Sequence, residues 1–277
     1  MIVNLSEILK IAEEKSCAIG AFNTPNLTTL KAVISAAEEL STPVIIMHAQ
    51  VHEEMGLCTM EEMAPLMRMY AERAKVPVCM HLDHGTDMDY VMRGMELGFT
   101  SVMYDGSELC TEKNYENTKT VVAEAKKKNI SVEAEIGSMG SREGGAVGDE
   151  SIYTDPDEAK KFVEETGIDA LACAFGTVHG VYLKQPKLDF ERLDKINRST
   201  SVPLVMHGGS GLTLDDYKKS IALGIRKINY YTYMAKAGGA AVAAMSDTTY
   251  FHDVEIAAGK AIKEDVKRAI KIFLSEE

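Results

Sequence analysis

VPLVMHGGSGLTLDDYKKSIALGIRKINYY, residues 202–231, contains one complete strand–helix–strand unit. A short apolar run, Pro203–His207, ends in a glycine-rich turn. Thr213, with Asp216 three residues on, has the form of a capping box and opens a helix. Gly224 closes that helix, and a second run follows at Lys227–Tyr230. The same alternation fills the rest of the chain. Further runs lie at Ala18–Phe22, Val44–His48, Val76–His81, Ser101–Tyr104, Ser131–Ile136 and Ala170–Ala174. Between them, residues 27–40 set Leu30, Val33, Ile34 and Ala37 on one helical face. Asp155-Pro156-Asp157-Glu158 supplies a cap, a first-turn proline and an acid at the third position. Thr86 with Asp89 resembles another capping box, and Gly98 closes the helix that follows it.

Strand runs that read as continuously apolar suit a parallel sheet buried on both faces. Eight runs, each followed by a helix, predict an α/β fold, a (β/α)8 TIM barrel formed as a single domain over residues 1–277. A doubly wound open sheet fits less well, since no GxGxxG follows the first run. One segment breaks the rhythm. GSMGSREGGAVGDESIYT, residues 137–154, is glycine-rich, polar and long, and reads as a mobile active-site lid.

Bulk composition narrows the function. With 42 acidic and 30 basic residues, the net charge of −12 gives no footprint for nucleic acid or for an anionic membrane. Any phosphate must be held locally, by backbone N–H groups, hydroxyls or single cations. Five cysteines, Cys17, Cys58, Cys79, Cys110 and Cys173, are widely spaced and read as reduced cytoplasmic thiols. Cys79 and Cys173 sit in apolar runs and read as core filler. No apolar run approaches the roughly 20 residues of a membrane span.

Barrels place their chemistry where strands end. The third run leads into HLDHG (His81–Gly85), the sixth into FGTVHG (Phe175–Gly180) and the seventh into MHGGSG (Met206–Gly211). His84, His179 and His207 are thus delivered to one rim, each beside a glycine. A lone histidine at such a place is more often a polar residue bonded near the core. Three of the chain's seven at strand ends point to a catalytic metal with an open position. Asp83 is either an acid/base beside that metal or an orienting partner for a histidine; spacing leaves both open. GGSG at 208–211 is either a tight turn or a helix N-terminus that presents N–H groups to an anion. The loop Asn229–Thr232 follows the next strand, and these two loops are where TIM barrels often hold phosphate.

HLDHG, DGS (Asp105–Ser107), VEAEIG (Val132–Gly137), GTVHG, MHGGSG and INYYT together resemble the class II, zinc-dependent ketose-bisphosphate aldolases. The resemblance runs in order from GAFN (20–23) to AIKE (261–264). It implies a zinc-dependent lyase that reversibly cleaves a ketose (bis)phosphate to dihydroxyacetone phosphate and an aldehyde. It implies zinc on His84, His179 and His207, with Asp105 and Glu135 near an alternative metal position. Asp83 matches the acid/base for the C4 hydroxyl, and Glu143, in the lid, the group that exchanges the dihydroxyacetone phosphate proton. Gly180, Gly208, Gly209, Ser210, Asn229 and Thr232 match the dihydroxyacetone phosphate cradle, with a monovalent cation (Na+ or K+) nearby. Asn23, in GAFN, and His252 complete the expected substrate contacts. A homodimer or homotetramer is expected by analogy. Cleavage leaves negative charge on an enediolate oxygen, and a Lewis acid stabilises it without a Schiff-base lysine.

The far end of the substrate site departs from the family. Where the family carries an arginine for the second phosphate, alignment through AIKE places His252, in TYFHDVEIAAGKAIKE. Ala49, in IIMHAQ, stands at the place of an assisting serine, and Ser246 lies near where a lysine is usual. Gly144 and Gly145 replace acidic lid residues, and Tyr231 stands inside the phosphate loop. A histidine does not reproduce the bidentate grip of arginine on phosphate. Either another residue holds the far phosphate or the substrate lacks one; the second is favoured. Two rivals keep the same motifs: a zinc-dependent phosphosugar isomerase or epimerase, and a non-catalytic phosphosugar-binding subunit.

Overall fold

Strand edges left unpaired invite wrong partners, and a closed ring of strands removes them. The computed structural model describes residues 1–137, 153–180, 186–245 and 250–275. Its elements run β1 (Ile2–Val3), α1 (Leu5–Lys15), β2 (Ile19–Asn23), α2 (Leu27–Glu39), β3 (Val44–Ala49), α3 (Gln50–Glu54), α4 (Met60–Arg73), β4 (Val78–Gly85), α5 (Met88–Leu97) and β5 (Ser101–Tyr104). They continue with α6 (Thr111–Lys127), β6 (Ser131–Ile136), α7 (Pro156–Thr166), β7 (Ala170–Cys173), α8 (Phe190–Ser199), β8 (Leu204–Met206), α9 (Leu214–Ala222), β9 (Ile225–Tyr230), α10 (Thr232–Ala243) and α11 (Phe251–Phe273). Strands β2 to β9 pair in parallel in chain order, and β9 returns to β2. This is the (β/α)8 barrel.

The sequence reading missed β1. Its two residues pair with the start of β4, Ile2 opposite Val78 and Val3 opposite Cys79, on the edge that β5 takes over from His81 onward. The third run also differs from expectation, for the strand continues through HLDHG to Gly85. Helix starts follow local chemistry. Asp155 caps α7 and Thr213 caps α9 through a capping box, as expected. The cap of α5 is Asp87, which accepts from the Tyr90 N–H, and not Thr86. Thr86 instead faces Gln50, whose side-chain oxygen takes its N–H at 3.0 Å.

Two apolar clusters follow from alternation along the strands. Outward residues such as Phe22, Ile46, Leu82 and Cys173 pack beneath the helices. Inward residues Ile19, Ala21, Ile45, Met47, Cys79, Met103 and Val205 fill the lower barrel. Leu5, Ile8, Leu9 and Ala12 of α1 join that inner cluster, so α1 plugs the bottom. Its start is fixed by a capping box between Asn4 and Glu7. Cys79 and Cys173 are buried filler in these clusters, as expected. Among the described residues, no helix is long and apolar enough to cross a membrane.

Leu9 is 1% exposed. Leu9→Ala is expected to cost about 2–5 kcal/mol, read as a lower denaturant midpoint in chemical unfolding. A midpoint unchanged from the parent protein would show that α1 does not plug the barrel.

Candidate active site

Along β4, alternation turns His81 and Asp83 inward and Leu82 outward into the strand–helix core. His84 should follow Leu82 outward. Its backbone is instead left-handed, with φ 47°, where the register with β5 shifts between Leu82 and Gly85. The twist brings its ring to 4.8 Å from that of His179 and 4.5 Å from that of His207, centroid to centroid. A non-glycine residue held this way costs about 1–3 kcal/mol. The irregularity lets two consecutive residues, Asp83 and His84, face the same cavity.

Partners fix which nitrogen of each ring is available. His84 Nδ1 lies 2.7 Å from Asp105 Oδ2, which leaves Nε2 3.2 Å from His179 Nε2. His207 donates its Nε2–H to Glu133 Oε1 at 2.9 Å. Its Nδ1 lies 3.6 Å from the Glu135 carboxylate, and both that nitrogen and Glu135 Oε2 are buried without a hydrogen-bond partner among the described residues. Buried polar atoms left this way are costly unless something else satisfies them. The candidate ligand atoms of His84, His179 and His207 lie within 4.8 Å of one another, and so do those of His84, Asp105 and Glu135. Three imidazoles with nitrogens converging on one point, that of His207 unpartnered, fit a zinc ion, and the carboxylate partners of His84 and His207 are the usual support for such ligands.

The electrostatics point the same way. Burial would lower the His84 pKa, but Asp83, Asp105 and Glu135 outweigh it and raise it to about 10. A field that favours a proton there also favours a metal cation. Burial, with His84 nearby, pushes His179 down to about 3 and lowers His207, so both offer neutral nitrogens. Beneath them, Lys227 Nζ lies 2.9 and 3.1 Å from the two Glu133 oxygens. Burial raises the Glu133 pKa, yet Lys227 and the adjacent histidines bring it down to about 2. Glu135 shows the opposite balance. Burial, then Asp105, raises it well above the usual carboxylate range.

Asp83 is 4% exposed and is gripped by two amides. Asn23 Nδ2, from β2, donates to Oδ2 at 3.0 Å, and Asn229 Nδ2, from β9, donates to Oδ1 at 3.0 Å. Burial alone would raise its pKa, but His84 and Lys227 hold it below the usual carboxylate range. Two residues expected to touch substrate thus position Asp83. A cavity of about 350 Å³ opens above, lined by Asp83, His84, Asp105, Glu135, His179, Gly180, Gly208, Ser210 and Asn229. Gly208 has φ 62°, and a Cβ there would meet the Val178 carbonyl oxygen at 2.2 Å, so only glycine lets the two loops approach. Ser210 Oγ accepts from the Tyr231 N–H at 3.2 Å and ties the loops after β8 and β9 together. Helix α10 begins at Thr232 with no side-chain cap, and Tyr231 and Thr232 line the cavity. The uncapped N-terminus of α10 suits an anion.

Two expected residues are not brought in. His252, at the start of α11, is 68% exposed at its side chain and faces a separate surface groove with Leu27, Thr28 and Lys31 of α2. Its assignment to the substrate pocket is corrected within this chain: α11 packs outside the barrel, so alignment by sequence did not carry position into the cavity. Glu143 lies outside the described residues, as do most of the expected lid and Ser246.

Comparison with known proteins agrees with this geometry. Residues 3–277 match the family described as "Fructose-bisphosphate aldolase class-II". The chain belongs to the class II fructose-bisphosphate aldolase family. A "Fructose-bisphosphate aldolase" of Staphylococcus aureus (strain Mu50 / ATCC 700699) is 39% identical, over 98% of this chain and 97% of that protein. A "6-phospho-5-dehydro-2-deoxy-D-gluconate aldolase" of Halalkalibacterium halodurans is 40% identical, over 98% and 96%. The crystal structure of the YdjI aldolase from Escherichia coli K12 superposes with a TM-score of 0.89 at 38% identity, over 99% of this chain and 97% of that one. The chain is therefore an aldolase, a carbon–carbon lyase of carbohydrate metabolism.

In this class II aldolase the sequence reading overlooked Glu133, Lys227 and His52. The first two carried a signal. In SVEAEI, Ser131, Glu133 and Glu135 recur at period two, and Lys227 and Asn229 do so in IRKINY. Polar residues on one face of a strand buried on both sides have to pair inside the barrel. His52 follows a strand end like the metal-site histidines, yet no glycine flanks it.

Glu133→Gln is expected to weaken zinc binding about 10- to 100-fold, measured by competition with a chromogenic chelator. Unchanged affinity would deny that Glu133 orients His207. Because zinc must displace a proton from His84, whose pKa is raised to about 10, affinity should rise toward that pH. Titration in buffers of different ionisation enthalpy should register the released proton, and none released at pH 7 would contradict this.

Proposed function

We propose that this aldolase is zinc-dependent and cleaves a ketose 1-phosphate to dihydroxyacetone phosphate and an aldehyde that carries no phosphate. The observation behind the second half is the charge of the cavity. Among the described residues, its lining includes Asp83, Asp105, Glu108 and Glu135 and no lysine or arginine. A second phosphate would meet carboxylates there, with no cationic side chain among the described residues to hold it. The Halalkalibacterium relative supports the idea, since its name gives a substrate with one phosphate.

The phosphate of the dihydroxyacetone half is assigned to Gly180, Gly208, Gly209, Ser210 and Thr232. Backbone N–H groups after β8 and at the start of α10 would hold it, which suits a chain of net charge −12. When bound by His84, His179 and His207, zinc would supply a Lewis acid where negative charge develops. Asp83 takes the proton from the C4 hydroxyl as the C3–C4 bond breaks and returns it in condensation. Its grip by Asn23 and Asn229 keeps one oxygen pair oriented toward that hydroxyl. Asp105 and Glu135 remain candidates for an alternative position of the metal, and Glu143 for proton exchange at the dihydroxyacetone carbon. Tyr250, Phe251 and Ile256 expose apolar surface around the start of α11, which fits a homodimer or homotetramer contact.

Chelation should abolish cleavage, and added zinc should restore it; activity that survives complete metal removal would end the zinc assignment. Asp83→Ala should lower turnover about 10²- to 10⁴-fold while zinc content stays at the parent level. Unchanged turnover would remove Asp83 from the acid/base role. For substrate choice, fructose 1-phosphate should be cleaved with higher kcat/KM than fructose 1,6-bisphosphate. The reverse order would refute an unphosphorylated far end.

A further inference from the structure

The β3 side of the cavity is built around His52. It sits on α3, directly after β3, and is 4% exposed. It lines the cavity, and its Nδ1 is buried without a hydrogen-bond partner among the described residues. The Tyr231 ring lies against it, with centroids 4.7 Å apart at 57°. Their strands, β3 and β9, flank β2, so the pair bridges the mouth above Asn23.

Short as α3 is, it is pinned on both sides. Gln50 Oε1 accepts from the Thr86 N–H at 3.0 Å, and Glu53 Oε2 accepts from the Tyr90 hydroxyl at 3.0 Å and from the Met60 N–H at 2.8 Å. Tyr231 is anchored through its own N–H to Ser210. An imidazole held this firmly, facing a cavity and short of a partner, is arranged to meet a group that arrives with the substrate. Burial lowers its pKa, and Asp83, Asp105 and Glu135 share the lining, so a hydroxyl fits there better than a phosphate.

We propose that His52, braced by Tyr231, is the residue that selects the aldehyde half, taking a hydrogen bond with a neutral hydroxyl next to the aldehyde carbon. This rests on the aldolase reading above and on its unphosphorylated far end. In the condensation direction, dihydroxyacetone phosphate loses its C3 proton to a base, the freed electron pair forms the C–C bond as the aldehyde C=O π bond breaks, and the resulting alkoxide takes the proton that Asp83 returns. The far half touches His52 without reacting there.

The test uses the zinc-loaded enzyme, dihydroxyacetone phosphate and two aldehydes that differ by one hydroxyl, glycolaldehyde and acetaldehyde. The ratio of kcat/KM for glycolaldehyde to that for acetaldehyde should favour the hydroxylated aldehyde in the parent. It should fall at least about tenfold in His52→Ala. His52→Gln, which keeps a hydrogen-bonding side chain, should retain most of the ratio, and Tyr231→Ala should lose part of it. Exchange of the dihydroxyacetone phosphate proton with solvent, followed in the same samples, reports a folded and loaded site independently of the aldehyde. A ratio unchanged in His52→Ala, or lost equally in His52→Gln, overturns the proposal. Preference of the parent for glyceraldehyde 3-phosphate over glyceraldehyde overturns the unphosphorylated far end instead, whatever the His52 variants do.

Discussion

Glu133 lies inside the barrel, fully buried and shut off from bulk solvent. Its ionised form survives because the Lys227 ammonium ion-pairs with it from below, donating to Oε1, and His207 donates to it from above. The consequence runs upward. A His207 that spends Nε2 on Glu133 can offer only Nδ1 to the cavity, beside Glu135 and close to His84. The lower barrel is apolar and plugged by α1, so the charged layer rests on a rigid floor. Buried pairs like this add little net stability. Their return here is orientation, since a site that must hold a metal needs its ligands fixed before the metal arrives.

Much of the barrel was legible because parallel strands buried on both faces leave continuous apolar runs. Val44–Ala49 and Ala170–Cys173 show this closely. Where the sequence misled, local chemistry had alternatives. Thr86 and Asp87 both offer a cap, and the choice depends on Gln50, which lies far away in sequence. That His84, His179 and His207 come together was legible, since each follows or ends a strand beside a glycine. The left-handed backbone of His84 was not, since nothing in HLDHG shows that neighbouring residues will face the same way. Glu133 and Lys227 were hidden for a related reason. A charged residue in a strand suggests a solvent face until the opposite charge is known to lie across the barrel.

The far end of the cavity shows the limit of transfer by alignment. His252 aligns with a phosphate-gripping position, yet α11 carries it to the outer surface, 68% exposed at its side chain. The side chains that do reach the cavity come from α3 and from the start of α10, His52 and Tyr231. Both are neutral aromatic groups at a mouth otherwise rich in carboxylate. The proximal half, with Gly208 needed for close approach of two loops, keeps the geometry of an anion cradle. One half of the pocket therefore suits a phosphate and the other a hydroxyl.

The central claim is that His84, His179 and His207 form one zinc centre oriented by Asp105 and Glu133. A crystal structure of the zinc-loaded protein with anomalous data across the zinc edge tests it most directly. The account predicts one strong anomalous peak per chain, bonded to His84 Nε2, His179 Nε2 and His207 Nδ1. No peak between these rings, or a zinc bound to His207 through Nε2 with Glu133 displaced, would contradict it.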